Sequence, residues 1–157
     1  MIVVADTSPI NYLILIEEID ILTKIHGRVV IPRAVREELL RPSAPEPVRN
    51  WISQLPTWLE VRTPANAPDE SLAALDLGER DAILLAGELH ADQLIVDERQ
   101  GRREAEKRGI LVVETLGVLR EAATLGLLDL RIAVKRLEAT SFYIAPDVLA
   151  RLLKDQP

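Results

Sequence analysis

Ile2-Val3-Val4-Ala5-Asp6-Thr7-Ser8-Pro9 is the stretch that decides the fold. Four apolar residues, three of them β-branched, run straight into an acid, two hydroxyl residues and a proline. A strand apolar on both faces belongs inside a parallel sheet covered by helices on each side. The Asp-Thr-Ser acceptors followed by proline make a helix N-cap with proline in the first turn. A buried strand feeding directly into a helix opens an α/β chain.

The pattern repeats downstream. Arg28-Val29-Val30-Ile31 ends at Pro32, Leu94-Ile95-Val96 ends at Asp97-Glu98, and Ile110-Leu111-Val112-Val113 ends at Glu114. Leu59-Glu60-Val61-Arg62 is a fifth, weaker strand. Between them the spacing predicts one or two helices over 9–25, one from Pro32 through Leu40, and further helices over 48–55, 78–90 and 99–108. Helices over 115–125, about 130–139 and 146–154 complete the chain, with Gly27, Gly109 and Gly126 as stops. Segments 42–47 and 63–69 carry prolines and read as loops. The fold class is α/β, a three-layer sandwich with helices on both sides of a central, mostly parallel sheet.

A chain of 157 residues, 48% hydrophobic and 28% charged, has the usage of one globular domain and is neither disordered nor fibrous. Aromatics are only 3%, so the core is aliphatic. Zero cysteines exclude a disulfide framework, a thiol nucleophile and a thiolate metal site. No apolar run approaches the roughly 20 residues of a membrane span, and the opening lacks the basic region of a signal peptide. The expectation is a cytoplasmic protein without membrane contact. A net charge of −6 argues against a broad basic surface for nucleic acid.

Ligands of open parallel sheets bind beyond the carboxyl ends of the strands, and the acids fall there. Asp6 ends the first strand, and Asp97-Glu98 end the strand at 94–96. Glu37 and Glu38 lie in the helix after the second strand; Glu79 and Asp81 open the helix at 78–90. Each has a purely structural reading. Asp6 and the Asp97-Glu98 pair suit helix caps, Glu79 suits a first turn through the helix dipole, and Glu37 suits a solvated face. Gathered in one place, such carboxylates repel each other and either hold a proton or recruit cations.

All-oxygen ligands select Mg²⁺ or Mn²⁺ over Zn²⁺. His26 and His90 sit at predicted helix ends and are not spaced as a metal pair. A multi-carboxylate metal site without a dedicated nucleophile is equipment for phosphodiester hydrolysis. Arg99, Arg102, Arg103 and Lys107 share one face of the helix at 99–108, a candidate phosphate-contacting wall. Paired with Glu104 and Glu106, the same helix is a solvated surface instead. Competing phosphate chemistries lack their signatures: Asp6 is followed by Thr7-Ser8 rather than an Asp-x-Asp pair, and no Gly-rich phosphate loop occurs.

Asp6-Thr7-Ser8-Pro9, then Ile31-Pro32 with Val35 and Glu38-Leu39, resemble the first two motifs of a PIN domain. Gly78-Glu79-Arg80-Asp81-Ala82-Ile83, followed by Leu94-Ile95-Val96-Asp97-Glu98, resemble the third and fourth. Gly101-Arg102 and Thr115-Leu116-Gly117-Val118-Leu119 are similar to a VapC-like branch of that family. The resemblance runs from residue 1 to about residue 150, and residues 1–157 are expected to form a single PIN-like domain.

It implies a Rossmann-like sandwich and an Mg²⁺- or Mn²⁺-dependent ribonuclease acting on RNA. It further implies the toxin of a toxin–antitoxin pair, neutralised by a small antitoxin protein, and a homodimer. By the same resemblance Asp6, Glu38, Asp81 and Asp97 are catalytic, and Asp6, Glu79, Asp81, Asp97 and Glu98 are metal ligands. Thr7 or Ser8 orients the first aspartate, while the helical spacing, not the resemblance, offers Arg99, Arg102 and Arg103 as the residues facing the RNA. The fourth motif commonly reads Thr-x-Asp but is Val96-Asp97-Glu98 here, so either Asp97 or Glu98 can fill the fourth acidic position. That departure also supports a second reading, a catalytically weak or inactive PIN-like module that binds RNA or a protein partner. Trp51 and Trp58 fit either the core or a partner contact.

Overall fold

In the computed structural model, which describes residues 1–154 and 156, five strands form one sheet in which every pairing is parallel. They are β1 (Ile2–Ala5), β2 (Arg28–Pro32), β3 (Leu59–Arg62), β4 (Gln93–Ile95) and β5 (Val112–Val113), in the order β3-β2-β1-β4-β5. The helices are α1 (Thr7–Leu15), α2 (Ile21–Ile25), α3 (Arg33–Leu39), α4 (Glu46–Ser53), α5 (Leu77–Glu88), α6 (Arg99–Lys107), α7 (Thr115–Thr124), α8 (Leu130–Glu138) and α9 (Pro146–Leu153). A 3-10 turn covers Glu70–Leu72.

Successive strand residues point to opposite faces of the sheet, and here both faces are apolar. Val3, Ala5, Val29, Ile31 and Ile95 pack into one core with α1, α2, α3, α4, α7 and α8. Val4, Val30, Leu94 and Val96 pack into a second core against α5 and α6. This is the expected three-layer sandwich. Val3, Val4 and Ala5 have no exposed surface. Burying each valine contributes roughly 1.5–3 kcal/mol, so the position of β1 is fixed, and with it the residue that follows.

Several boundaries differ from expectation for local reasons. The first helix starts at Thr7, because Pro9 is tolerated within a first turn whose N–H groups have no intrahelical partner. The predicted span 9–25 splits after Ile16, where Glu17 takes a left-handed φ of 62°. Helix α4 starts at Glu46 rather than 48, with a proline in its first turn. Strand β5 is cut to Val112–Val113 at the sheet edge, leaving Leu111 exposed. Trp51 and Trp58 are half-buried, 5.9 Å apart, and pack against the first core. His26 is buried, and burial lowers its pKa. Among the described residues no helix is long and apolar enough to cross a membrane.

The strand order sets where a ligand can bind. From β1 the chain steps outward through β2 to β3, then crosses back to place β4 on the other side of β1. The crevice beyond the carboxyl ends of β1 and β4 is the topological switch point of such a sheet. Asp6 follows β1 directly, its N–H donating to the Ile95 carbonyl at 3.0 Å, and Asp97 lies two residues past β4.

Candidate active site

Asp6 is only 4% exposed. It holds the N-cap position of α1, yet its side chain makes no capping hydrogen bond, and its Oδ1 is buried without a partner. A structural cap therefore does not account for it. Burial pushes its carboxyl up to about 7; the nearby Thr7 N–H opposes this, and the charges of Asp76, Glu38 and Asp97 reinforce it.

Glu79 stands on the first turn of α5 and is also buried. Burial raises its carboxyl to about 8, with Asp76, Asp6, Glu98 and Glu38 adding repulsion. Its carboxylate lies against α6: a Cβ built on Gly101 would sit 3.7 Å from Glu79 Oε2.

Glu38 reaches the site from α3 and is held by two donors. Thr7 Oγ1 donates to its Oε2 at 2.5 Å, and the Gly78 N–H donates to its Oε1 at 3.2 Å. A Cβ at Gly78 would fall 2.9 Å from Glu38 Oε1 and 3.1 Å from Thr7 Oγ1, which is why glycine is needed there. Asp97 is held more tightly still. Its Oδ1 accepts from the Thr115 N–H at 2.8 Å, and its Oδ2 accepts from Thr115 Oγ1 at 2.6 Å and Ser8 Oγ at 3.2 Å.

The hydroxyl of Thr7 or Ser8 was expected to orient Asp6, and neither hydroxyl bonds to it. As the first two residues of α1 they fan out to either side of β1, so Thr7 meets Glu38 beyond β2 and Ser8 meets Asp97 beyond β4. Glu98 caps α6, its carboxylate accepting from the Gln100 N–H at 3.4 Å, while its charge acts on Glu79. Asp81 lies on α5 with Arg80 Nε 3.4 Å away, and it is not among the charges that act most strongly on Asp6 or Glu79. Asp76 is, on both counts. It was missed in the sequence, although Asp76-x-x-Glu79 has the spacing of a capping box, and its Oδ1 accepts from the Glu79 N–H at 2.9 Å.

The basic face of α6 is partly spent on ion pairs. Arg102 Nη1 meets Glu114 Oε1 at 2.8 Å, and Lys107 meets Glu104 at 3.2 Å. Arg99 and Arg103 are exposed and have no ion pair among the described residues.

Among the described residues no group of three His, Cys, Asp or Glu side chains is placed to hold a metal ion. The donors nonetheless have the chemistry of a hard-cation site. They are all oxygens, one is orphaned in the interior, and burial raises two carboxyls to about 7 and about 8, with neighbouring negative charge adding to it. Mg²⁺ typically takes one or two carboxylates and keeps several waters, so it does not require a preformed cage.

The description "PIN domain" belongs to a family model that matches residues 2–156. The chain belongs to the PIN-domain family. PIN domains are in general nucleases and typically use divalent metals. Among solved structures, the chain is similar to a PilT N-terminus domain protein from the hyperthermophilic archaeon Sulfolobus solfataricus P2. That match has a TM-score of 0.54 at 18% identity, covers 92% of this chain and 100% of the other, and supports the PIN fold. No curated protein matches the chain.

Proposed function

We propose that residues 1–157 form one PIN domain acting as a divalent-metal-dependent endoribonuclease, the toxin of a VapBC-like toxin–antitoxin pair. On this reading it hydrolyses RNA phosphodiesters in the cytoplasm as a homodimer, and a small antitoxin protein restrains it. The observation that carries the nuclease reading is Asp6: a carboxyl buried at the switch point with an unpartnered oxygen, crowded by other acids. Leaving such a group buried costs stability, and perturbed carboxyls in a crevice mark functional sites.

The donor set fits Mg²⁺ or Mn²⁺, with Asp6, Glu79, Asp97 and Glu98 as the residues that would hold the ion. Asp81, on the same helix as Glu79, is the remaining acid of the proposed set. The bound ion would supply a water of lowered pKa and stabilise charge on the phosphodiester oxygens. The chain's own residues do the rest. Protons on Asp6 and Glu79 leave as the site is loaded. Glu38, fixed by Thr7 and Gly78, is the general base of the set. Thr115 and Ser8 fix Asp97, and Arg99 and Arg103 contact substrate phosphates.

One observation favours a second reading. Asp97 already accepts three hydrogen bonds from Thr115 and Ser8, and no three acids are placed around a common point among the described residues. A PIN-like module with a weak or silent site would bind RNA or a protein partner without cutting. The test is cleavage of a mixed single-stranded RNA pool by purified protein in Mg²⁺, Mn²⁺ or EDTA, beside Asp6→Asn. Cutting is expected in either metal and absent in EDTA and in the folded variant. Cutting that survives both changes refutes the site, and a folded wild type that never cuts leaves the binding module.

A further inference from the structure

Beside the carboxylates runs a groove that nothing above explains, and what it implies rests on the nuclease reading. Two adjoining clefts of about 280 and 290 Å³ share Glu114, Leu116 and Val148 in their walls. The first reaches Asp97 and is rimmed by Tyr143. The second ends at Arg120 and Arg151. Together they lead from the acids, past an aromatic ring, to two guanidinium groups.

Tyr143 is 79% exposed although the chain on either side of it is anchored. Ile144 is buried, and Phe142 packs edge-on against Tyr12 with centroids 5.0 Å apart. Tyr12 Oη and Ser141 Oγ are hydrogen-bonded at 2.8 Å, and the Phe142 N–H donates to Thr140 Oγ1 at 3.1 Å. Side chains alternate along this segment, so the Tyr143 ring is held outward on a pinned loop. A scattered surface aromatic needs no explanation. One pinned at the mouth of a groove that ends in the acid cluster has a use that packing does not supply.

Charge along the groove suits a polyanion. Glu114 would repel phosphate, but Arg102 pairs with it at 2.8 Å. Arg120 is exposed and has no ion pair among the described residues, whereas Arg151 lies 3.7 Å from Asp147. Unpaired bases stack on aromatic faces with little regard to sequence, and only a single strand offers such a face.

We propose that Tyr143 stacks a nucleobase of single-stranded RNA lying in this groove, and that Arg120 contacts the phosphate backbone farther along it. The test uses the full chain with a single-stranded RNA oligonucleotide carrying 2-aminopurine, in Ca²⁺, reading anisotropy and base fluorescence. Tyr143→Ala is expected to weaken binding about tenfold and abolish the fluorescence quenching, while Tyr143→Phe binds within about twofold of wild type. Arg120→Gln is expected to weaken binding and flatten the salt dependence by about 0.7 in slope.

Wild-type affinity and quenching in Tyr143→Ala overturn the proposal, as does a Phe variant as damaged as the Ala one. A wild type that binds no single-stranded RNA also overturns it, and a groove that holds a protein segment instead gives one of these results. Cleavage separates the two readings. Binding through Tyr143 without cutting keeps this inference and ends the nuclease assignment; cutting with an unchanged KM in Tyr143→Ala does the reverse.

Discussion

Replacing Asp6 by Asn in the metal-free protein isolates the energetic consequence of the buried carboxyl. Its folded-state pKa is about 7, against a starting value of 3.8. A raised carboxyl pKa means that the folded protein binds the proton more tightly than the unfolded chain. The associated stability is present below the unfolded pKa and is lost as pH rises toward the folded one, at about 1.4 kcal/mol per pH unit. Between about pH 5.5 and about pH 7.5 the loss from Asp6 alone comes to about 2 kcal/mol, and above pH 8 it totals roughly 4 kcal/mol. Asn keeps the shape without the charge. Urea denaturation of both proteins in EDTA across this range is the assay. The variant should gain on wild type steadily as pH rises. Stability differences that stay constant with pH would refute the claim that Asp6 is buried uncompensated.

Gly78→Ala should separate function from stability. The new Cβ meets the flexible end of Glu38, so thermal stability should stay within about 1 kcal/mol of wild type, while the displaced carboxylate should cost about a hundredfold in RNA cleavage. Full cleavage by the variant would show that the Glu38 position is immaterial. Thr115→Val removes a hydroxyl with no exposure that donates to Asp97 at 2.6 Å, and urea denaturation should show a loss of about 1.5–3 kcal/mol. A change below about 0.5 kcal/mol would mean that the bond contributes nothing net.

The sheet was legible because buried parallel strands leave a clear signal: the apolar runs Ile2-Val3-Val4-Ala5, Val29-Val30-Ile31 and Leu94-Ile95-Val96 are each followed by a polar or proline residue. Their carboxyl ends then located the acids without any knowledge of side-chain contacts. What stayed hidden was the partnering. Thr7 and Ser8 sit next to Asp6 in sequence, and only the helical fan of α1 sends them to Glu38 and Asp97. The bond from Thr115 to Asp97 joins residues 18 apart, and the Arg102–Glu114 pair joins a helix to a strand end. Periodicity carries no trace of either. Asp76 was readable as a cap and overlooked because exposed polar residues before a helix are common.

A nuclease of this kind requires the switch-point carboxylates to take up a divalent cation. Isothermal titration of Mn²⁺ into wild type and Asp6→Asn, near pH 6.5 in buffers of different ionisation enthalpy, tests that directly. Wild type should bind Mn²⁺ and release about one proton or more, because Asp6 and Glu79 carry protons at that pH before the ion arrives. The folded Asp6→Asn protein should lose most of both signals. Absence of binding by wild type, or equal binding and proton release by the variant, would contradict the central claim.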